Sequence, residues 1–190
     1  MIFLFSLIII ILVHEFGHLI AAKMCGCKVP RFSIGFGKAL VEKKIGGTVY
    51  QIAPILLGGF CELKDELKYS RSKYAFTNKT YSQKVFISLA GILVNMIVGI
   101  LSAIAGSYFL NFNLLMFGIY NIVIGISNAL PIPALDGSFW IAFLFEKKLG
   151  KKKLYSILES LFSKWFYWLM ILNIIFIPIM IYQIYKGYIL

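Results

Sequence analysis

No charged side chain occurs from Val85 to Leu135, a run of 51 residues. A chain can keep such a run out of water inside a large protein core or inside a bilayer. With 190 residues in all, 60% hydrophobic and 14% charged, the chain has too little polar surface for the first route; an average soluble domain is about 25% charged. The composition excludes a disordered chain and points to an integral membrane protein. About 20 apolar residues cross the hydrocarbon layer, so the run holds two spans, TM2 at 85–110 and TM3 at 114–130, turning at Asn111-Phe112-Asn113. Pro131 and Pro133 should end the second, because proline lacks the backbone donor and clashes with the preceding turn.

Residues 1–22 form another apolar stretch without the basic start of a leader peptide, read as a retained helix, TM1. Between TM1 and TM2 the segments Arg31-Phe-Ser-Ile-Gly-Phe-Gly37 and Thr48-Val-Tyr-Gln-Ile52 alternate with period two around Gly46-Gly47. They predict a β-hairpin or small sheet within 29–60. Residues 154–162 suit an amphipathic surface helix. Trp165 to Tyr185 is a last apolar stretch, TM4, with Trp and Tyr near its ends. The expected fold is an all-α polytopic membrane protein of about four transmembrane helices with a small β-element between the first two. Residues 1–145 form its core, with the Pro131–Gly137 segment after TM3, and 146–190 a basic connector and final helix.

The chain carries 19 Lys and Arg against 8 Asp and Glu. Twelve of the basic residues lie between TM1 and TM2, none in the TM2–TM3 turn, six between TM3 and TM4 and one near the C-terminus. Cytoplasmic loops collect Lys and Arg. The count therefore places both basic segments in the cytoplasm, against anionic headgroups rather than nucleic acid, and both termini outside. Cys25, Cys27 and Cys61 form no disulfide framework and read as reduced thiols; Cys25-Gly-Cys27 is a weak metal-site candidate.

TM1 contains His14-Glu15-Phe16-Gly17-His18. Residues four apart on a helix are displaced by about 6 Å and lie nearly above one another, so two imidazoles can reach one Zn²⁺ from the same face. Glu15 stands beside the first ligand, where it can take a proton from a water activated by the metal. His and Glu are costly inside a membrane and mark function by default. Haem fits less well, since axial ligands approach iron from opposite sides. The only histidines are His14 and His18, and of the eight carboxylates Asp136 alone lies at the end of an apolar span. Two histidines, one carboxylate and an open position suit a catalytic zinc. Depth agrees: His14 precedes Lys23 by nine residues, about 13 Å, and Asn95 follows Lys84 by eleven, about 16 Å. Asp136 closes TM3 on the same, cytoplasmic, side.

These residues resemble the site-2 proteases, zinc metalloproteases that cut within membranes. His14-Glu15-Phe-Gly17-His18 looks like the family's H-E-x-G-H. Phe32-Ser33-Ile34-Gly35-Phe36-Gly37 and Leu57-Gly-Gly-Phe60 look like its strand segments. Ala90-Gly91-Ile-Leu-Val-Asn95 looks like its G-x-x-x-N, and Asn128-x-x-Pro131-x-x-x-Leu135-Asp136-Gly137 like its N-x-x-P-x-x-x-L-D-G. The resemblance implies one Zn²⁺ per chain on His14, His18 and Asp136, with Glu15 as general base. It further implies Asn95 and Asn128 at the substrate backbone or oxyanion, and a membrane re-entrant β-element containing Phe32–Gly37. Asn95 and Asn128 could equally serve as helix–helix hydrogen bonds. Departures are a TM2–TM3 connection too short for the PDZ domain many members carry, Ile92 where proline is usual, and Ser138 where glycine is common.

The expected activity is hydrolysis of peptide bonds in or near transmembrane segments of membrane-tethered proteins in a prokaryotic cell membrane. The catalytic centre would sit near the cytoplasmic side. A helical substrate must unwind first, and an edge strand at Phe32–Gly37 or Thr48–Ile52 could clamp it by β-addition. A non-catalytic scaffold or ion-handling protein with a vestigial metal site is the alternative. Substrate identity and oligomeric state are not legible.

Overall fold

A computed structural model of the chain describes residues 2–132 and 135–165. The elements are α1 (Ile2–Met24), β1 (Arg31–Phe36), β2 (Val41–Ile45), β3 (Thr48–Ile52), β4 (Ile55–Glu62), a 3₁₀ turn at Phe76–Asn78, α2 (Tyr81–Tyr108), α3 (Phe112–Asn128), α4 (Asp136–Leu144) and α5 (Glu146–Leu149). Helical backbone over residues 151–165 follows and is designated α6. Among the described residues, two helices are long and apolar enough to cross a membrane, Phe5–Met24 and Tyr81–Tyr108; α3 is apolar but shorter. The expected TM4 lies outside the described residues.

Each long helix starts or stops for a local reason. α1 ends where Gly26 takes φ +64°. The Cys27 N–H then reaches back to the Ala22 carbonyl at 2.8 Å and the Gly26 N–H to Lys23 at 3.0 Å. A left-handed residue followed by such a back-bond closes a helix C-terminus, and glycine adopts that conformation without steric penalty. α2 starts on a capping box: the Thr80 hydroxyl accepts from the Gln83 N–H and the Gln83 side chain from the Thr80 N–H. Asn111 caps α3 by accepting from the Leu114 N–H at 3.1 Å, at the expected turn. α2 and α3 then pack at van der Waals backbone distance, since a methyl on Gly118 would come within 2.6 Å of the Gly99 carbonyl oxygen. Small residues at helix contacts permit this approach in membranes.

The β-element is a four-stranded sheet in the order β2-β3-β1-β4, larger than a hairpin. β2 and β3 form an antiparallel hairpin through Gly46-Gly47, β1 runs parallel to β3, and β1 pairs antiparallel with β4. The two alternating segments are therefore parallel neighbours rather than hairpin partners. β2, Val-Glu-Lys-Lys-Ile, is exposed along its whole length; with neither face buried it carries no period-two signal. The topology also corrects the clamp. Among the described residues, Phe32–Phe36 and Thr48–Ile52 are interior strands with both edges occupied, and the edges without a partner strand belong to β2 and β4.

Beneath the sheet, Phe76 packs on Phe139 and Phe143 of α4 with ring centroids 6.4 and 5.7 Å apart. Phe139 meets Phe162 of α6 at 5.0 Å. α6 buries Leu154, Tyr155 and Leu158, at the amphipathic spacing read from the sequence. Lys84, wholly buried, places its Nζ 2.7 Å from Glu146 Oε2 and over the rings of Phe143 and Tyr155 at 5.3 and 5.1 Å. This buried pair joins α2 to the α4–α5 junction and α6. Breaking such a pair on one side strands a charge and costs about 3–5 kcal/mol, whereas replacing both partners by apolar groups is often neutral. Lys84→Met should therefore lower the unfolding midpoint in detergent, and Lys84→Met with Glu146→Leu should recover most of the loss.

Candidate metal centre

His14 and His18 lie one turn apart on α1, with side chains 8% and 9% exposed. Their Nε2 atoms are 3.3 Å apart. Asp136, the first residue of α4, brings Oδ2 to 2.9 Å from His14 Nε2 and 3.1 Å from His18 Nε2. Zinc–nitrogen and zinc–oxygen bonds of about 2.0–2.1 Å at a tetrahedral angle separate neighbouring donor atoms by about 3.3 Å. The three donors thus fit zinc in number, chemistry and mutual distance. They are the one such group among the described residues. Cys25, Cys27 and Cys61 do not join it. Burial pushes the Cys27 thiol up to about 11, which keeps it a thiol rather than a thiolate ligand.

α2 is shaped around the histidines. Its residues Lys84, Ile87, Gly91 and Asn95 recur every three or four positions on one buried face. The Ile87 carbonyl accepts from His18 Nδ1–H at 2.8 Å. A carbonyl can only accept, so His18 carries its proton on Nδ1 and turns the Nε2 lone pair toward the centre. Gly91 faces both rings: a methyl there would overlap His18 Nε2 and stand 2.8 Å from His14 Cε1. Gly17, between the histidines, meets the same helix, its added methyl falling 2.8 Å from the Ala90 carbonyl oxygen. The two glycines let α1 and α2 close to the distance at which imidazoles fill the gap. Asp136 reaches the site because Gly137 lets α4 begin against the Ala129 and Leu130 carbonyls, where a side chain would overlap them.

Glu15 lines a cavity of about 290 Å³ together with His18, Asp136, Gly59, Phe60, Cys61 and Glu66, among others. β4 lies directly on it: a methyl at Gly59 would stand 3.3 Å from Glu15 Cγ, and the Glu15 carboxyl faces the Cys61 backbone amide. β4 therefore borders Glu15. Asn95 is buried with Nδ2 3.2 Å from His14 Nδ1. Asn128 donates from Nδ2 to the Ile124 carbonyl of its own helix at 3.1 Å and is not among the cavity residues. Phe32 and Ser33 are buried in the interior strand β1, where the Ser33 hydroxyl donates to the Gly35 carbonyl at 2.8 Å.

Glu66 escaped the sequence reading. It sits in Glu62-Leu-Lys-Asp-Glu66, which looks like a solvated run, yet it lines the cavity, and burial, the largest influence, pushes its carboxyl up to about 8. Its one sequence signal is adjacency to Leu63 and Leu67, which enter the same cavity.

Two histidines on an apolar helix and a distant aspartate thus meet at zinc-like spacing, with the glutamate between the histidines lining a cleft. The sequence matches Peptidase family M50 over residues 2–114. With more than half of its length matched, the chain belongs to that family, the site-2 proteases. It is 45% identical over 103 residues to the regulator of sigma-E protease RseP of Salmonella typhimurium and 43% over 105 residues to protease RseP of Yersinia pestis. These matches take 52% and 53% of this chain, and the matched stretch spans 23% of each relative. The site-2 protease from Methanocaldococcus jannaschii shares the fold, with a TM-score of 0.54 over 94% of this chain and 70% of that one at 19% identity.

Gly91→Ala places a methyl where His18 Nε2 lies. Metal analysis of the purified variant should find zinc reduced to background, while Gly46→Ala, in the open β2–β3 turn, retains it.

Proposed function

We propose that the chain is a zinc endopeptidase that hydrolyses peptide bonds in or near transmembrane segments of membrane-tethered proteins. The observation that carries this reading is a tetrahedrally spaced His14–His18–Asp136 set, two of whose members, His18 and Asp136, line one cavity with Glu15 and β4 residues Gly59, Phe60 and Cys61. When bound, zinc supplies an acidified water and a Lewis acid for the scissile carbonyl. The protein's residues do the rest. Glu15 takes the proton from the attacking water on its carboxylate and passes it to the leaving amide nitrogen, which departs as an amine. His14 and His18 hold their Nε2 lone pairs inward, and Asp136 completes the set with a charge that the N-terminus of α4 favours. Asn128, at the C-terminal end of α3, would contact the substrate backbone, as the family pattern implies.

The substrate enters unwound. An intact helix keeps its carbonyls in i→i−4 hydrogen bonds, so the scissile bond must be freed from them before attack. An opened segment would then add to β4, the strand nearest Glu15. β4 thus takes over the clamp expected of Phe32–Gly37. The basic segments after Lys23 and after Glu146, and the end of α1 ten residues beyond His14, support a centre sunk beneath the cytoplasmic face of a prokaryotic membrane. Both termini then lie outside. A membrane-anchored regulator or a leftover signal peptide has the required form.

Glu15→Gln should keep its zinc and lose cleavage of a transmembrane reporter substrate. Residual cleavage in that variant, after exclusion of contaminating proteases, would remove Glu15 from the role of base. For the clamp, an extended peptide hydroxamate should inhibit, and N-methylation of its strand-pairing amides should weaken it by about tenfold, the worth of one or two hydrogen bonds. Equal potency of the methylated compound would show that β4 does not pair with substrate.

A further inference from the structure

The two histidines differ in what holds their outer nitrogens. His18 Nδ1 donates to a backbone carbonyl, which leaves no choice of tautomer. His14 Nδ1 faces the side-chain amide of Asn95 at 3.2 Å, and an amide offers either a donor or an acceptor. His14 Nε2 points to the centre shared with Asp136 and His18. A nitrogen that gives its lone pair to a metal carries no proton, so in the zinc reading the proton of His14 resides on Nδ1. With Nδ2 turned toward that ring, two N–H groups would face each other and Asn95 Oδ1 would be buried without a partner. Rotation of the amide by half a turn puts Oδ1 at the same 3.2 Å and breaks no bond that Oδ1 was making. The two orientations have the same shape, so the hydrogen-bond chemistry decides between them.

We infer that Asn95 is a positioning residue for the metal centre: its Oδ1 accepts the Nδ1–H of His14 and locks that imidazole in the zinc-binding tautomer. This rests on the zinc reading above and departs from a role for Asn95 at the substrate oxyanion. It also gives Gly91 and Asn95, one turn apart, a single job, with the glycine admitting the rings and the asparagine orienting one of them. Loss of the acceptor must weaken the metal, while an aspartate, which keeps a side-chain acceptor at the same reach, must preserve it. An oxyanion donor gives the opposite pattern, because aspartate cannot donate and zinc affinity would be untouched by either change.

The test is chelator-competition measurement of Zn²⁺ affinity, with Co²⁺ absorption spectra, on purified wild type, Asn95→Leu, Asn95→Asp and His14→Ala. Asn95→Leu should bind 10–100-fold more weakly, as outer partners of metal-bound histidines do when removed, with an altered Co²⁺ spectrum. Asn95→Asp should stay within a few-fold of wild type. The inference is overturned if Asn95→Leu binds as wild type does, or if Asn95→Asp loses as much as Asn95→Leu. Wild type that binds no metal, or His14→Ala that binds as well as wild type, overturns the zinc reading itself. Should Asn95→Leu fail to fold, ¹⁵N NMR of ring-labelled, zinc-loaded wild type decides. Two slowly exchanging Nδ1 protons are expected, and a His14 ring without one refutes the assignment.

Discussion

The fold is organised around the cost of burying three polar side chains among apolar helices. His14 and His18 are nearly wholly buried and Asp136 is largely so. Each unpaired polar group in such surroundings costs several kcal/mol. The solution is mutual: donor atoms brought within 3.3 Å of one another, with the outward nitrogens of both rings tied to α2. Under the proposed function a cation would complete the balance. The glycines at 17, 91 and 137 follow from it, because each removes a side chain that would hold a neighbouring backbone away from the centre.

A second constraint is access. A bilayer-sized helix protects its own carbonyls, so a peptidase among helices needs a surface that stabilises an opened backbone. Under the proposed function the sheet would fill that role beside the metal donors. β1 is the strand that anchors it, held between β3 and β4, and β4 is the strand left with a free edge. The more regularly patterned strand is thus the interior one, and the strand next to Glu15 is β4.

Much of this was legible in the residues. The spacing of His14 and His18 and the position of Asp136 after a proline break located the donors, because each depends on helix geometry and on the rarity of charge in apolar runs. The turn at Asn111 was readable from its capping chemistry. Strand pairing was not: β2 is charged and exposed, and parallel pairing of β1 with β3 depends on contacts distant in sequence. Glu66 was hidden for a related reason, since its burial comes from other segments while its neighbours in sequence are charged. For Asn95 the residue was readable and its partner was not; that required the 3.2 Å approach to His14 Nδ1.

The donors are also far apart along the chain, with 118 positions separating His18 from Asp136. A ribosome delivers α1 to the bilayer long before α4 exists. Throughout synthesis the growing polypeptide holds an imidazole pair without its carboxylate, so the set of metal donors is incomplete. The set closes only when the α4 segment folds back onto the first helix, and under the proposed function that order would hold back cutting until the core is complete.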